Sequence, residues 1–600
     1  MDEHGFGAFH QQVVGGTLTR REATRRLLGM GLSLPMAYAL LAGASVPSAQ
    51  AQGAAPYSYA PTLRGGGGAL RMLFWQAPTT LNPHFATGAK DGEAARIFYE
   101  SLATWDNDGG LVPVLAAEIP SRANGSVAAD GRSVTWKLKR GVTWHDGQPF
   151  TADDVVFNAE YARDPATAAT TAGAVADMRF VKLDTHTVRV VFDKPTPFWP
   201  GSYAELMILP RHVFAPFRGA ASREASANQR PVGTGPYRFV EFQPGDLLRA
   251  ALDPTYHRPN RPHFDTLEIK GGGDAVSAAR AVLQTGEYDY AWSLTVEDDL
   301  LRRLEASSNG RGRVDIVDSN ALTFAMLNAT DPNLEVNGQR SHPSTQHPMF
   351  ADKTVRDAIN LLFDREGIQQ VVWGRTAAAT TAYINRPAQF RSRNIRREFN
   401  VDKANALLDT TGWKRGSDGL RAKDGRKAKL LFQASANGPS QKVQQIVKSA
   451  FTRAGIELEL KAVTSAVFSG GDASNPDSNV RFHADMQTFA YTSTVPDPER
   501  SMDRFCSWEL PTKANKFQGR NVMRWRNDEY DRLYRAAEVE IDSARRAALF
   551  IRLNDLVVGD GYMIPLVTRK AVSAASSKLI KPQVAWGAAM ATLADWYRVA

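Results

Sequence analysis

From Ala69 onward, short strand-like runs alternate with helical patterns over most of the chain. That alternation limits the fold more than any other feature, because helices interleaved with short strands pack as α/β layers. Period-two alternation is clearest at 133–138, around Val134, Trp136 and Leu138, and at 187–192, around Val188, Val190 and Phe192. Between these two runs, Thr151-Ala152-Asp153-Asp154 reads as a capping box, with Asp154 in the place of the usual Glu. It opens a helix through Val155, Phe157 and Tyr161. Helical patterns return at 275–283, 354–363, 403–408, 441–454 and 528–558, with strands at 289–292, 429–434 and 457–462. No self-similarity at a period of roughly 20 to 50 residues is present, which excludes a solenoid or propeller.

The chain has 600 residues, 43% apolar and 22% charged, a balance that excludes general disorder and a polytopic membrane protein. Its net charge of +9 raises nucleic acid as a partner. The distribution argues against that: Lys137, Lys139 and Arg140 are followed by Asp146, Asp153 and Asp154, and no basic block carries interleaved aromatics. Cys506 is the single cysteine, so neither an internal disulfide nor a thiolate metal cluster can form.

The N-terminus carries two arginine pairs, Arg20-Arg21 and Arg25-Arg26, then an apolar stretch over 27–46 and the small residues Ala49-Gln50-Ala51. The arrangement resembles a bacterial twin-arginine export signal. It predicts a signal peptide over 1–51, cleavage after Ala51 and a mature protein in the periplasm. Residues 52–68, small, Pro-containing and closed by Gly65-Gly66-Gly67-Gly68, read as a flexible linker.

Several ordered words coincide with one family. The run from Thr135-Trp136-Lys137-Leu138 through Gly141-Val142-Thr143-Trp144-His145-Asp146-Gly147 to Asp153-Asp154-Val155 closely resembles the signature of the family 5 extracellular solute-binding proteins, the dipeptide, oligopeptide and nickel receptors of ABC importers. Gly233-Thr234-Gly235-Pro236-Tyr237, Asp253-Pro254-Thr255-Tyr256, Gly286-Glu287-Tyr288-Asp289 and Val355-Arg356-Asp357-Ala358-Ile359 follow in the family's order. The resemblance covers essentially the whole mature chain. It implies an α/β fold of two lobes, the type II (cluster C) periplasmic binding protein fold, with an extra inserted β-rich domain. Lobe I would comprise 69–106, 229–318 and 568–600, the inserted domain 107–228, and lobe II 319–567. The hinges are expected near 320–324 and 566–569.

An enzyme lacks support. No Walker loop and no Gly-x-Ser-x-Gly elbow occurs. His145-Asp146 falls in the family's strand-to-helix turn, and the pairs His257/His263 and His342/His347 lack metal-ligand spacing and read as surface residues of Pro-rich loops. No catalytic residue, metal site or cofactor is expected. A receptor instead needs an aromatic wall and a few fixed polar groups. Trp75, Trp292 and Tyr491, each at or near a strand end, are the candidate wall, with Asn82 and Tyr99 as weaker choices. In peptide-binding relatives of the family, an acidic residue shortly before a proline meets the ligand's ammonium. Thr494 stands there in this chain, which weakens a peptide assignment, while Asp497 is either a substitute or a turn residue before Pro498. Arg504 is the candidate partner of a ligand carboxylate. The resemblance thus implies a monomeric periplasmic receptor that delivers a short peptide or peptide-like solute to an inner-membrane ABC permease. An opine, a saccharide or a metal chelate is the alternative cargo, and a periplasmic hydrolase or a sensor partner the alternative class.

Overall fold

The computed structural model describes residues 58–600 except 87, 202, 470–474, 494, 585, 587 and 600. The expected signal peptide, the first part of the linker and Thr494 therefore lie outside the described residues. Two strands far longer than their neighbours, Gly312–Leu327 and Met563–Ser576, run antiparallel through the middle of an 11-stranded sheet. Residues 312–318 pair with 570–576, and 321–326 pair with 563–569. Between these blocks Ser319 and Asn320 fall out of register. The Ser319 hydroxyl stitches the bulge, donating to the Arg569 carbonyl at 2.7 Å and accepting from the Ala321 N–H at 3.2 Å. Bulges bend and twist a ladder, so the pairing itself divides the sheet into two halves.

On one side of the bulge, Ala69–Phe74 lies parallel between Tyr290–Ala291 and Thr266–Gly271, followed outward by Leu247–Leu252 and Tyr237–Gln243. On the other, Met486–Thr492, Lys429–Ser435 and Glu457–Val463 extend the sheet. The parallel pair Lys429–Ser435 and Glu457–Val463 needs a crossover, supplied by the helix Gly438–Arg453. Asn437 caps that helix by accepting the Ser440 N–H, Pro439 sits in its first turn, and Val443, Val447 and Phe451 form its buried stripe. These halves are the cores of the two lobes of a periplasmic binding protein fold.

The inserted β-rich domain is a three-stranded antiparallel sheet, with Thr187–Phe192 between Ser133–Lys137 and Met178–Asp184, packed with the helix Ala152–Arg163. The capping box closes as the spacing predicts: the Thr151 N–H donates to the Asp154 carboxylate at 2.9 Å. The domain's core runs without a break into lobe I. His145 makes the joint. Its Nδ1 accepts the Gly233 N–H at 3.1 Å, so the proton is on Nε2, which donates to the Gly235 carbonyl at 3.0 Å. A Cβ on Gly233 would stand 1.8 Å from the Phe98 carbonyl oxygen, which explains the glycine at that position. Asp146 turns away from the imidazole to bind His212 at 2.7 Å.

Part of the expected linker is held down. Among residues 58–68, the Gly66 and Gly68 N–H groups donate to the Asp265 carboxylate at 2.8 and 2.9 Å, and Gly65 and Gly67 donate to the carbonyls of Pro262 and His263. Gly65, Gly66 and Gly68 have positive φ, so the run is a shaped anion-binding turn rather than a flexible tether. Two of the histidines expected at the surface are withdrawn from it, His347 buried and His257 half-buried, because each has a carboxylate to pair with: His257 on Glu100 and His347 on Asp485, both at 2.9 Å.

Two outcomes follow from the joint between inserted domain and lobe I. Gly233→Ala should destabilise the protein by roughly 3 kcal/mol in urea unfolding, the upper range for overpacking, because backbone must move. His84 is fully buried, with Nε2 donating to Asn158 Oδ1 at 2.9 Å, and burial lowers its pKa from 6.5 to about 4. Between those values the unfolded chain holds a proton that the folded one does not, so acidification lowers stability. His84→Gln should flatten the stability profile over pH 6.5 to 4 by about 1.4 kcal/mol per pH unit. An unchanged slope would show that His84 is not held neutral.

Candidate functional site

A cavity of about 520 Å³ lies against the bulge, where the crossing strands pass between the halves of the sheet. Its floor is Asp318, Ser319 and residues 568–570, one wall is Ala378–Thr380 with the loop 385–393, and Asp108 of the inserted domain forms the lip. This volume is within the range of small-solute sites. The short strand Ala377–Ala379 pairs with 567–569, which fixes that wall to the crossing strand.

The lining is basic. Arg386, Arg391, Arg393, Arg569 and Lys570 face two acidic residues, Asp108 and Asp318. Arg386 is a bridge: Nη1 reaches Asp318 at 3.0 Å, and Nη2 donates to the Asn107 carbonyl at 2.8 Å. Its Nε is buried without a hydrogen-bond partner. Lys570 lies 3.9 Å from the other Asp318 oxygen. Arg569 is part-buried, and desolvation lowers its pKa below the ordinary arginine range. No hydrogen bond or ion pair holds its guanidinium among the described residues.

The inserted domain reaches this wall through the turn between Ala103–Trp105 and Leu111–Pro113. Asp106 shapes the turn by accepting the N–H groups of Asp108 and Gly110 at 2.9 and 2.7 Å. Gly109 has φ +87°, and a Cβ there would stand 2.8 Å from the ring of Pro496, so the approach to lobe II depends on its being glycine. Ion pairs join the two sides elsewhere. Arg375 holds Asp298 at 2.6 Å and Glu305 at 2.9 Å, Lys442 holds Glu297 at 2.7 Å, and Lys194 of the inserted domain holds Glu538 at 3.0 Å. Burial acts to raise the pKa of Asp298, but the N–H and guanidinium of Arg375, with Arg302, hold it below the usual carboxylate range.

Among the described residues, none of those selected from sequence lines this cavity. Trp75 is half-buried and donates from Nε1 to the Ser293 carbonyl at 2.9 Å. Trp292 is 8% exposed and stacks on Phe74 with ring centroids 4.9 Å apart, within the core of lobe I. In lobe II the Arg504 guanidinium lies over the Tyr491 ring at 3.8 Å, and its Nε is buried without a hydrogen-bond partner. Asp497 is buried and accepts the Glu499 N–H at 2.9 Å, opening the short helix Glu499–Met502. Thr494 lies outside the described residues. Asn82 and Tyr99 are buried, Asn82 on Asn228 at 2.7 Å. The structure thus brings together Tyr491 with Arg504, whereas Trp292 belongs to the core of lobe I and Trp75 packs against a separate cluster around Ala291 and Leu294. Arg386, Arg569, Lys570 and Asp318 were missed. The available signal was the pair Arg569-Lys570, separated only by Thr568 from the apolar run Ile564-Pro565-Leu566-Val567, where a buried strand has little use for charge.

The fold defines the class, a periplasmic binding protein fold, with a cavity of solute size beside the bulge. Residues 110–509 match the bacterial extracellular solute-binding proteins, family 5, and the chain belongs to that family. The family is one of binding proteins, not enzymes. The chain is 27% identical over 474 residues to the oligopeptide-binding protein AppA of Bacillus subtilis, covering 77% of this chain and 79% of that protein. It is 23% identical over 508 residues to the glutathione-binding protein GsiB of Escherichia coli K12, covering 84% and 89%. Among solved structures, it is similar to CtaP of Listeria monocytogenes, an ABC transporter substrate-binding protein, with TM-score 0.73, 21% identity and coverage of 89% and 99%. NikZ of Campylobacter jejuni in complex with Ni(L-His) gives TM-score 0.69, 21% identity and coverage of 88% and 99%. No group of three or more His, Cys, Asp or Glu able to hold a metal ion occurs among the described residues.

Asp298→Ala should lower stability by about 2 kcal/mol in urea unfolding, since it leaves a partly desolvated Arg375 without its main acceptor. No loss would mean that this bridge carries no net stabilisation.

Proposed function

We propose that the protein is the exported receptor of an ABC importer, trapping a short peptide or peptide-like solute between its lobes and passing it unaltered to a membrane permease. The observation that carries this reading is the cavity at the bulge, floored by the two crossing strands and lipped by the inserted domain, in a family 5 fold. Oligopeptide- and glutathione-binding relatives favour a peptide-like cargo. Solute held against both sides favours the closed form over the open one, and only that difference in affinity drives closure. A Kd near micromolar, about −8 kcal/mol, suffices for capture while allowing release. The arginine pairs and apolar run of 1–51 serve as a twin-arginine signal that delivers a monomer to the periplasm, where the closed form meets its permease.

A second reading keeps the receptor and changes the cargo to an opine or metal chelate. The five basic side chains lining the cavity favour it, since such cargoes carry several carboxylates.

Mass spectrometry of solute released from protein purified out of its own periplasm tests both. A small peptide or carboxylate-bearing compound recovered intact, and lost from uptake when the gene is deleted, is the expected result. Uptake unaffected by the deletion, or a chemically altered solute, would falsify the receptor reading.

A further inference from the structure

Resting on the receptor reading, the hinge cavity also bears on what part of the cargo is recognised. Asp318, the acid nearest its floor, is already engaged by Arg386 and lies within 3.9 Å of Lys570. Asp108 is exposed at the lip, as are Arg391 and Arg393. That leaves Arg569 on the floor as a part-buried guanidinium with no acceptor on it among the described residues, beside the unpartnered Nε of Arg386. A desolvated cation is costly unless an anion meets it, and a planar guanidinium presents paired donors matched to an oxyanion. An ammonium group in the same place would be repelled.

We infer that the cargo is anchored at the hinge by an oxyanion group, carboxylate or phosphate, seated on Arg569 with Arg386 and Lys570 beside it. Recognition at this end is then of the acid function, and the receptor selects anionic solutes over their neutral counterparts.

Isothermal titration of the full chain with the dipeptide Ala-Glu, its diamide and O-phosphoserine tests this. At least one acidic probe should bind about ten-fold or more tightly than the diamide, the effect of one charge-assisted hydrogen bond. Ala-Glu alone would mark a carboxylate and phosphoserine alone a phosphate. That binding should weaken as sodium chloride is raised, and Arg569→Gln should erase the preference for acid. Equal binding of the diamide, a preference kept by Arg569→Gln, or no binding of either acidic probe overturns the inference. If Arg569→Gln does not fold, the acid-to-diamide ratio and the salt series on the unsubstituted protein decide. A diamide that binds as tightly as the acid sinks the anion site and leaves the receptor reading standing. A bound probe released in altered form sinks the receptor reading itself.

Discussion

The antiparallel ladder between Gly312–Leu327 and Met563–Ser576 is the constraint on which the other parts depend. It is the only pairing that runs through both halves of the described sheet, and its register is interrupted by a bulge at Ser319 and Asn320 and a smaller slip at Leu566 rather than by a loop. A loop would let the halves drift. A bulge keeps the backbone hydrogen-bonded on either side and concentrates the bend in Ser319 and Asn320, where a small change in φ and ψ moves everything beyond it. Because side chains near a bulge are re-aimed, the same two residues also decide which groups face the cavity.

The inserted domain depends on a different kind of contact. Its apolar core is continuous with that of lobe I, and two buried polar joints fix the docking: a neutral His145 read by two backbone groups of the 233–235 turn, and a neutral His84 on Asn158. Each imidazole must donate with one nitrogen and accept with the other, so each works in one tautomer only. The glycine at 233 lets two backbones meet at a distance no side chain permits. The family words in this region are therefore joints. Their residue types satisfy close approach and hydrogen bonding, not chemistry on a solute.

That distinction explains what was legible in the residues. Thr151 to Asp154 announce a capped helix, and the alternation at 187–192 announces a strand, because both signals are local and complete within a few residues. Trp75, Trp292 and Tyr491 are strand-end aromatics whose surroundings depend on register across the sheet. Phe74, which covers Trp292, is 218 residues away from it, and periodicity says nothing about such a neighbour. Asp497 shows the same limit in another way: the turn it forms is local and was anticipated as one of two uses. Gly65 to Gly68 misled because glycine-rich composition is shared by tethers and by shaped turns, and only Asp265, far along the chain, separates the two.

The basic floor gives the bulge a further consequence. Arg569 is bonded through its backbone to Ser319 and Ala377, while Arg386 joins Asp318, next to the bulge, to the inserted domain's Asn107. Charge repulsion among Arg386, Arg569 and Lys570 opposes their approach, and Asp318 offsets only part of it. In the proposed reading, an oxyanion placed among them removes that opposition at the point where the two halves of the sheet pivot. Capture and closure are then one event, since the group that recognises cargo is carried on the strand whose bend sets the angle between the lobes. A neutral solute of the same size fills the space but leaves the repulsion in place, so its differential affinity for the closed form is smaller even where its contacts are equal.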